Sequence, residues 1–325
     1  MITVVKPGLL STIQDEGRPG YRAFGMPLAG AVDRDAYAVA NLLAGNRAGD
    51  AAIEMTLLGG AFRFDSDAVV AITGADMQPT LEGAQVAGWS SFPVAAGSVL
   101  AFSSAREGCR CYLAVRGGID VPVVLGSRST YTRARVGGLQ GRALVAGDLL
   151  ATGPSARPST GSGRAAPPPW RLPARLVPRY PREKRIRVLL GPQDDRFPRG
   201  GLASFLGATY AVSNRNDRMG YQLEGPPIEH ARGADIVSDG MIPGSVQVPG
   251  NGLPIVMMHD CPTVGGYAKI ATAISADLAR MAQARTGDFV HFEACTFETA
   301  LEVRKRRDAW MEEVKAAIER GGGEP

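Results

Sequence analysis

Residues 254–283 read PIVMMHDCPTVGGYAKIATAISADLARMAQ, and the fold prediction depends on this stretch. The apolar run at 254–258 indicates a short buried strand. The pair Gly265-Gly266 indicates a tight loop after that strand. A helical period follows in the apolar residues Ile270, Ile274, Leu278 and Met281. The sequence therefore predicts a strand, a glycine loop and a helix in succession.

A junction of this kind leaves backbone N–H groups unpaired where the helix begins. Such groups can bind an anion, or a carbonyl oxygen on which negative charge develops. The polar side chains around the junction are His259, Asp260, Thr263, Tyr267 and Lys269. We interpret the junction as a candidate site; the alternative is an ordinary strand–turn–helix junction with a solvated lysine.

A second glycine-rich stretch, LLSTIQDEGRPGYRAFGMPLAGAVDRDAY, occupies residues 9–37. It is too rich in glycine for a helix and too long for a simple turn, and long loops inside compact domains are usually functional or disordered. Its interleaved polar residues are Gln14, Asp15, Arg18 and Asp33. Asp33 also directly precedes a predicted helix at 34–44, where it would serve equally well as the N-cap.

Short apolar segments separated by glycine or proline extend from residue 52 to residue 150 and predict a β-barrel or a β-sandwich. Glu54 lies within one of these segments. Because a buried carboxylate needs a partner, we expect an arginine beside it. The block GSRSTYTRARVGGLQGRAL at 126–144 would suit an anionic ligand, or would equally form a solvated loop.

The composition of residues 152–182 indicates a linker, because eight prolines and the run STGSG cannot bury a core. The sequences on either side share a weak repeat, which favours two similar domains in tandem. A terminal helix is predicted over 297–320. The predicted organisation is an N-terminal domain at 1–151, the linker at 152–182, a second domain at 183–297, and a C-terminal helix and tail at 298–325.

Composition argues against several classes of function. The net charge is +4, but the basic run at 304–307 is typical of a solvated helix face rather than of a nucleic-acid site. Four cysteines without a CxxC spacing, and only three histidines, argue against a metal site or a disulfide framework. Since there is no signal-peptide pattern and no apolar run of about 18 residues, we expect a cytoplasmic protein without a membrane partner.

Several long motifs, in the same order, resemble one known family. They include VVKPGLLSTIQDEGRPGYRAFGMPLAGAVDRDAYAVANLLAGN (4–46), YLAVRGGIDVPVVLGSRSTY (112–131), NDRMGYQLEG (216–225) and GGYAKIATAISADL (265–278). The chain resembles the allophanate hydrolase subunit 2 family, also called the KipA or biotin-dependent carboxyltransferase family. It departs from the family at 262–267, where PTVGGY replaces the more usual QTTGGY.

The resemblance implies a mainly β fold with a few helices (α+β), arranged as two tandem cyclophilin-like β-barrel domains. It also implies a partner of the KipI type, the allophanate hydrolase subunit 1 or PxpB protein. Members of the family include the PxpC component of the ATP-dependent 5-oxoprolinase and the carboxyltransferase part of urea carboxylase. A LamB/YcsF-like protein, PxpA, is a further expected partner for a 5-oxoprolinase.

Among the functions that the resemblance implies, we favour a hydrolase subunit that opens the lactam of 5-oxoproline to glutamate. Asp260 would then be a catalytic base and Lys269 a catalytic donor to oxygen. Thr263, Gly265, Gly266, Tyr267, Gln14, Asp15, Arg18 and Asp33 would bind substrate. The chain lacks a GxxxxGK[ST] loop, so we expect the ATP site to be unconventional or shared with the partner. Two alternatives remain: a carboxyltransferase that receives carboxybiotin in trans, and a non-catalytic KipA-like regulator.

Overall fold

The computed structural model describes residues 1–154 and 170–320 of the chain. Contacts between Cα atoms define two compact units. The first comprises Met1–Arg18, Ala29–Tyr180 and Ala309–Pro325, and the second comprises Pro19–Leu28 and Pro181–Asp308. About half of the predicted linker, 155–169, lies outside the described residues. Its described end at 170–182 includes the buried residues Leu172 and Leu176. The predicted domain boundaries stay predictions.

The first unit is built from two antiparallel sheets. It contains helix α1 (Arg34–Ala44) and the last turns of the terminal helix. Its strands are β1 (Ile2–Lys6), β2 (Leu10–Gln14), β3 (Ala52–Thr56), β4 (Ala61–Phe64), β5 (Ala68–Asp76), β6 (Thr80–Leu81), β7 (Ala84–Gln85), β8 (Ser90–Val94), β9 (Val99–Ala101), β10 (Glu107–Val115), β11 (Ile119–Asp120), β12 (Leu149–Thr152) and β13 (Trp170–Arg171). One sheet has the strand order β11-β12-β1-β4-β9-β6-β7, and the other has the order β13-β8-β5-β10-β3-β2.

Apolar residues from both sheets form one core in this unit. On β1, Ile2 and Val4 are buried while Val5 is exposed, the alternation expected of a strand with one face on a core. Ile53 on β3 and Leu113 on β10, in the other sheet, belong to the same buried cluster. The two sheets therefore pack face to face over a shared apolar layer.

Helix α1 begins and ends where the sequence predicts. Its N-cap is Asp33, whose carboxylate accepts a hydrogen bond from the Ala36 N–H at 3.0 Å. Its C-cap is Gly45, which adopts a left-handed φ of 78°. The face packed on β5 and β10 carries the buried residues Tyr37, Ala40, Leu43 and Ala44. The capping interpretation of Asp33 is thus confirmed.

Replacing Asp33 with alanine should lower the free energy of unfolding by about 1 kcal/mol, because the Ala36 N–H loses its acceptor. Urea unfolding followed by circular dichroism measures this loss. Asp33→Asn is the matched control, since an asparagine side chain caps a helix as well as an aspartate does. An equal loss in both variants would contradict the capping role.

Glu54 has the arginine partner that its buried position requires. The Arg110 Nε lies 3.8 Å from the Glu54 Oε1, and both side chains are almost fully buried. The Tyr112 hydroxyl donates to Oε2 at 2.7 Å, and the Val32 N–H donates to the same oxygen at 3.0 Å. The charge is therefore held by several partners, and the expectation of an arginine is confirmed.

A closed barrel dominates the second unit. Its strands are β14 (Glu183–Leu190), β15 (Tyr210–Asn216), β16 (Gly220–Glu224), β17 (Asp235–Gly240), β18 (Ser245–Gln247), β19 (Ile255–Met257), β20 (Val264–Tyr267), β21 (Lys269–Ala273) and β22 (Phe289–Ala294); its helices are α2 (Arg199–Gly207) and α3 (Leu278–Ala282), and the terminal α4 (Phe297–Glu319) begins in it. The barrel order is β14-β21-β18-β19-β16-β15-β22, and β17 pairs with β20 in a separate two-stranded ribbon. The prediction of a mainly β fold with a few helices is confirmed.

The terminal helix also agrees with the sequence prediction, and its basic run is largely exposed. Arg304 lies 3.8 Å from Asp308, and Arg306 lies 4.0 Å from Glu302, each one helical turn away. Pairs of this kind on a helix surface contribute only about 0.3–0.5 kcal/mol. In the described ranges, none of the helices has both the length and the apolar character needed to cross a bilayer.

The stretch at 254–283 corrects one prediction. Its strand is present as β19, but the glycine pair lies within β20, and Ile270 lies within β21 rather than in a helix. Only α3, at Leu278–Ala282, is α-helical. Because β21 is paired with β14 on one side and β18 on the other, its short apolar run is buried as a central barrel strand. No helix begins at the glycine pair.

Candidate functional site

The residues proposed from the sequence fall into two groups, one within each unit. Gln14, Asp15 and Arg18 lie in the first unit, as does Asp33, which caps α1. The remaining residues lie in the second unit: Asp260, Thr263, Gly265, Gly266, Tyr267 and Lys269. Their surroundings differ, and each group is described within its own unit.

Asp15 joins two loops of the first unit that are distant in sequence. Its Oδ1 accepts hydrogen bonds from the Gly17 N–H at 2.8 Å and from the hydroxyls of Ser127 and Ser129, each at 2.6 Å. Its Oδ2 accepts from the Arg128 N–H at 2.5 Å. With both oxygens engaged, the carboxylate fixes the loop at 126–144 against the N-terminal loop.

Arg18 and Gln14 extend this arrangement. The Arg18 side chain is fully buried, and its Nη2 donates to the Ser129 carbonyl at 2.5 Å. Gln14, also fully buried, donates from Nε2 to the Thr130 carbonyl at 3.1 Å. Its Oε1 has no hydrogen-bond donor within the part of the chain that the structure describes. The part of the 126–144 block that meets these residues therefore forms a buried polar wall rather than a solvated loop.

Asp260 forms a bidentate ion pair that the sequence analysis missed. Its two carboxylate oxygens accept from the Arg218 guanidinium, from Nε at 2.9 Å and from Nη2 at 3.0 Å. The Asp260 N–H also donates to the Arg218 carbonyl at 2.9 Å, and both side chains are buried. The two hydrogen bonds from Arg218 fix the orientation of the Asp260 carboxylate.

Lys269 is buried in the barrel wall, with only 2% of its surface exposed. Its ammonium donates to the Asp239 Oδ2 at 2.6 Å and to the Gly240 carbonyl at 3.1 Å. Gln193 connects the two charged residues, because its Nε2 donates to the Asp239 Oδ2 at 3.1 Å and its Oε1 accepts from the Lys269 N–H at 3.1 Å. We call Gln193, Asp239 and Lys269 the lysine cluster.

Electrostatics within the lysine cluster follow from this geometry. The hydrogen bond from Lys269 lowers the pKa of Asp239, and hydrogen bonds from Gly240 and Gln193 lower it further. An ammonium carries three N–H donors, and only two have acceptors in the described chain. The third N–H of Lys269 is thus without an acceptor in that part of the chain.

The glycine pair serves the ribbon rather than a helix start. In the register of β17 and β20, Gly265 lies opposite Asp239. A side chain on Gly265 would overlap the Gln247 amide, whose Nε2 donates to the Tyr267 carbonyl at 3.3 Å. The Thr263 carbonyl accepts from the Met241 N–H at 2.9 Å, so a main-chain bond holds it beside the ribbon. The predicted anion cradle at a helix N-terminus is therefore wrong.

The N-terminal loop supplies one more cation to the second unit, and this cation is partly buried. The Arg22 Nη2 donates to the Met241 carbonyl and, at 3.3 Å, to the Pro262 carbonyl. Burial raises the pKa of the neighbouring Cys261 thiol, although Arg22 opposes that shift. Sequence reasoning passed over Arg22, because an arginine in a glycine-rich loop carries no local sign of its distant acceptors.

These features belong to a carboxyltransferase domain. The sequence model described as "Carboxyltransferase domain, subdomain A and B" matches residues 24–294. Since this match covers most of the chain, the chain belongs to that family, and the resemblance found from its motifs is confirmed.

Two curated relatives illustrate the breadth of the family. The chain is 39% identical over 315 residues to the 5-oxoprolinase C subunit of Escherichia coli strain K12, covering 97% of each sequence. It is 33% identical to urea amidolyase of Saccharomyces cerevisiae, covering 94% of this chain and 17% of that protein. Among solved structures, the Kluyveromyces lactis urea amidolyase superposes with a TM-score of 0.88 at 29% identity, over 99% of this chain and 20% of its own.

Proposed function

We propose that this chain is a subunit of an ATP-dependent 5-oxoprolinase, which opens the lactam of 5-oxoproline to glutamate. The observation that carries the proposal is the end-to-end match with the 5-oxoprolinase C subunit of E. coli, repeated at 34% identity with the Haemophilus influenzae protein of that name. By contrast, the chain spans less than a fifth of the yeast urea amidolyase sequence.

The chemistry of a lactam sets what the site must contain. The amide is stable, and ATP, when bound, supplies the phosphoryl group that activates the lactam oxygen. The site then needs N–H donors for oxygens that carry negative charge, and a carboxylate that orients the attacking water. The third N–H of Lys269 meets the first need, since the ammonium is buried and already fixed by two acceptors.

Asp260 is our candidate for the carboxylate. Its hydrogen bonds to Arg218 fix its orientation, so a water molecule could replace one of them while the other holds the side chain in place. Thr263, Gly265, Gly266 and Tyr267 lie along the ribbon next to the lysine cluster and are proposed to line the substrate site. Within the first unit, Gln14, Asp15 and Arg18 are proposed to fix the loops that carry them, because their hydrogen bonds join these loops. Asp33 is proposed to fix the start of α1.

We propose that the active form is a complex with a KipI-like PxpB protein and a LamB/YcsF-like PxpA protein in the cytoplasm. The test is to co-express the chain with a KipI-like and a LamB/YcsF-like protein of the same organism and purify the complex. The expected result is glutamate release from 5-oxoproline that requires ATP. A well-assembled complex without any turnover would contradict the proposal.

A carboxyltransferase activity is the second candidate, and the close superposition on urea amidolyase favours it. The same lysine donor would suit the oxygen of a carboxyl acceptor, with carboxybiotin supplied in trans. Carboxyl transfer from added carboxybiotin, in a complex that does not cleave 5-oxoproline, would support this alternative. Tight partner binding without either activity would instead support a KipA-like regulator.

A further inference from the structure

The lysine cluster contains a residue that no motif assigned to function. We infer that Asp239, together with Gln193, is the positioning residue that holds the Lys269 ammonium in place for reaction. The inference rests on the proposed function, because it assigns a role to the lysine of that same site. The inference adds to that function the groups that fix the direction of the third Lys269 N–H, the one proposed to contact substrate.

The geometry of the carboxylate supports this role. Its Oδ1 accepts from the Gly240 N–H at 2.7 Å, so the side chain is fixed in orientation by the adjacent backbone. Its Oδ2 accepts from Lys269 at 2.6 Å and from Gln193 at 3.1 Å. With the Gly240 carbonyl as a second acceptor, two of the three ammonium N–H groups have fixed directions, and tetrahedral geometry then fixes the third.

Burial and exposure are divided unevenly within the pair. Lys269 is 2% exposed, whereas the Asp239 side chain is 52% exposed. The carboxylate therefore covers the ammonium from the solvent side of the ribbon. The pair thereby gives a buried donor an acceptor of fixed orientation.

Gln193 provides a second, independent connection. It pairs with Lys269 in both directions: the Gln193 N–H donates to the Lys269 carbonyl at 3.1 Å, and the side-chain Oε1 accepts from the Lys269 N–H at 3.1 Å. Its Nε2 then reaches Asp239 at 3.1 Å. The Gln193 side chain thus holds the Asp239 carboxylate and Lys269 at fixed positions relative to each other. This is expected of a residue that supports a reacting group.

Asp239→Asn tests the inference in the assembled complex. The amide still fits the space but no longer carries the charge that orients Lys269. We expect kcat for 5-oxoproline cleavage to fall about 10- to 100-fold, because misplacement of a reacting group by about 1 Å has effects of that size. KM should change much less, since substrate binding does not require Asp239. Asp235→Asn is the matched control, an exposed aspartate on the same strand without a side-chain partner in the described residues.

The pH profile separates positioning from a structural role. The pKa of Asp239 is lowered in the folded protein, so the ion pair is intact above that pKa and is lost as the pH falls through it. The wild-type profile of kcat should therefore show an acid limb from Asp239, which Asp239→Asn should lack. A variant with wild-type kcat and an unchanged acid limb would overturn the inference.

A second measurement does not depend on turnover. The full chain is treated with an amine-acetylating reagent, and modification of Lys269 is followed by peptide mass spectrometry. Asp239→Ala should label several-fold faster than the wild type or Asp235→Ala, because alanine removes the side chain that covers the ammonium. If the wild-type complex lacks 5-oxoprolinase activity but this ratio holds, the proposed reaction fails and the hold of Asp239 on Lys269 stands. Equal labelling rates overturn the inference whatever the activity.

Discussion

Replacing Lys269 with methionine is expected to slow ATP-dependent cleavage of 5-oxoproline strongly while leaving the barrel folded. Methionine retains most of the buried stem but has no N–H to offer an oxygen that gains negative charge. Removing one such donor from an enclosed site lowers kcat about 100- to 1,000-fold. Stability should change little, because the Asp239 carboxylate left behind is half exposed and can be hydrated.

Lys184 supplies a matched control for this experiment. It is a second buried lysine of the same barrel, and its ammonium donates to the Asp288 Oδ2 at 3.0 Å. Because Asp288 is itself buried, Lys184→Met should destabilise the chain. Its activity per folded complex should nevertheless remain near that of the wild type. Turnover by Lys269→Met within twofold of the wild type would contradict the proposed role.

Removing the Arg218 guanidinium should have the largest effect on stability. Arg218→Met leaves the buried Asp260 carboxylate without its bidentate partner. Breaking one side of a buried ion pair typically costs about 3–5 kcal/mol, since the remaining charge cannot be hydrated. We expect a large loss in urea unfolding at neutral pH, and faster hydrogen exchange in peptides that contain β16 and β19.

The double variant Arg218→Met/Asp260→Asn tests the cause of that loss. With the charge removed as well, a substantial part of the stability should return. Arg185→Met is the surface comparison: its partner Glu293 lies at 2.9 Å, but both side chains are exposed, so the loss should be below about 1 kcal/mol. No recovery in the double variant would show that packing, rather than charge, dominates at this position.

The sequence predicted best where local signals and tertiary contacts agree. Helix α1 was placed at its observed bounds because an N-cap, an apolar face and a terminal glycine coincide there. Glu54 was assigned an arginine partner because a buried carboxylate has few other options. The helix prediction depends on signals within a few residues of one another. The prediction of an arginine partner depends only on the burial of a charged side chain.

The helix prediction failed at its start because one spacing runs across two elements. Ile270, Ile274 and Leu278 follow at intervals of four residues, but Ile270 lies in β21 and Leu278 lies in α3. The chain at Ile270 is a strand because β21 has hydrogen-bonded neighbours on both sides. No local signal at Lys269 reports those neighbours.

The sequence predicted individual site residues but not the residues with which they pair. Lys269 and Asp260 were singled out, but their partners Asp239 and Arg218 were not. Asp239 lies 30 residues before Lys269, on an exposed ribbon strand, and only the ribbon register brings the two side chains together. Similarly, Asp15 meets Ser127 across 112 residues of sequence. Ion pairs and hydrogen bonds between separate loops depend on the finished topology, which single residues do not reveal.

The allocation of residues 19–28 to the second unit has a consequence for the order of folding. Arg22 and its acceptor Met241 are 219 positions apart, so this contact closes one of the longest loops in the chain. Contacts of such high sequence separation are slow to form. At about 5–20 residues per second, synthesis of the intervening chain takes roughly 10–40 seconds. The contact between Arg22 and Met241 can form only after the barrel strands have been synthesised. It is expected to be among the last to form in the nascent protein.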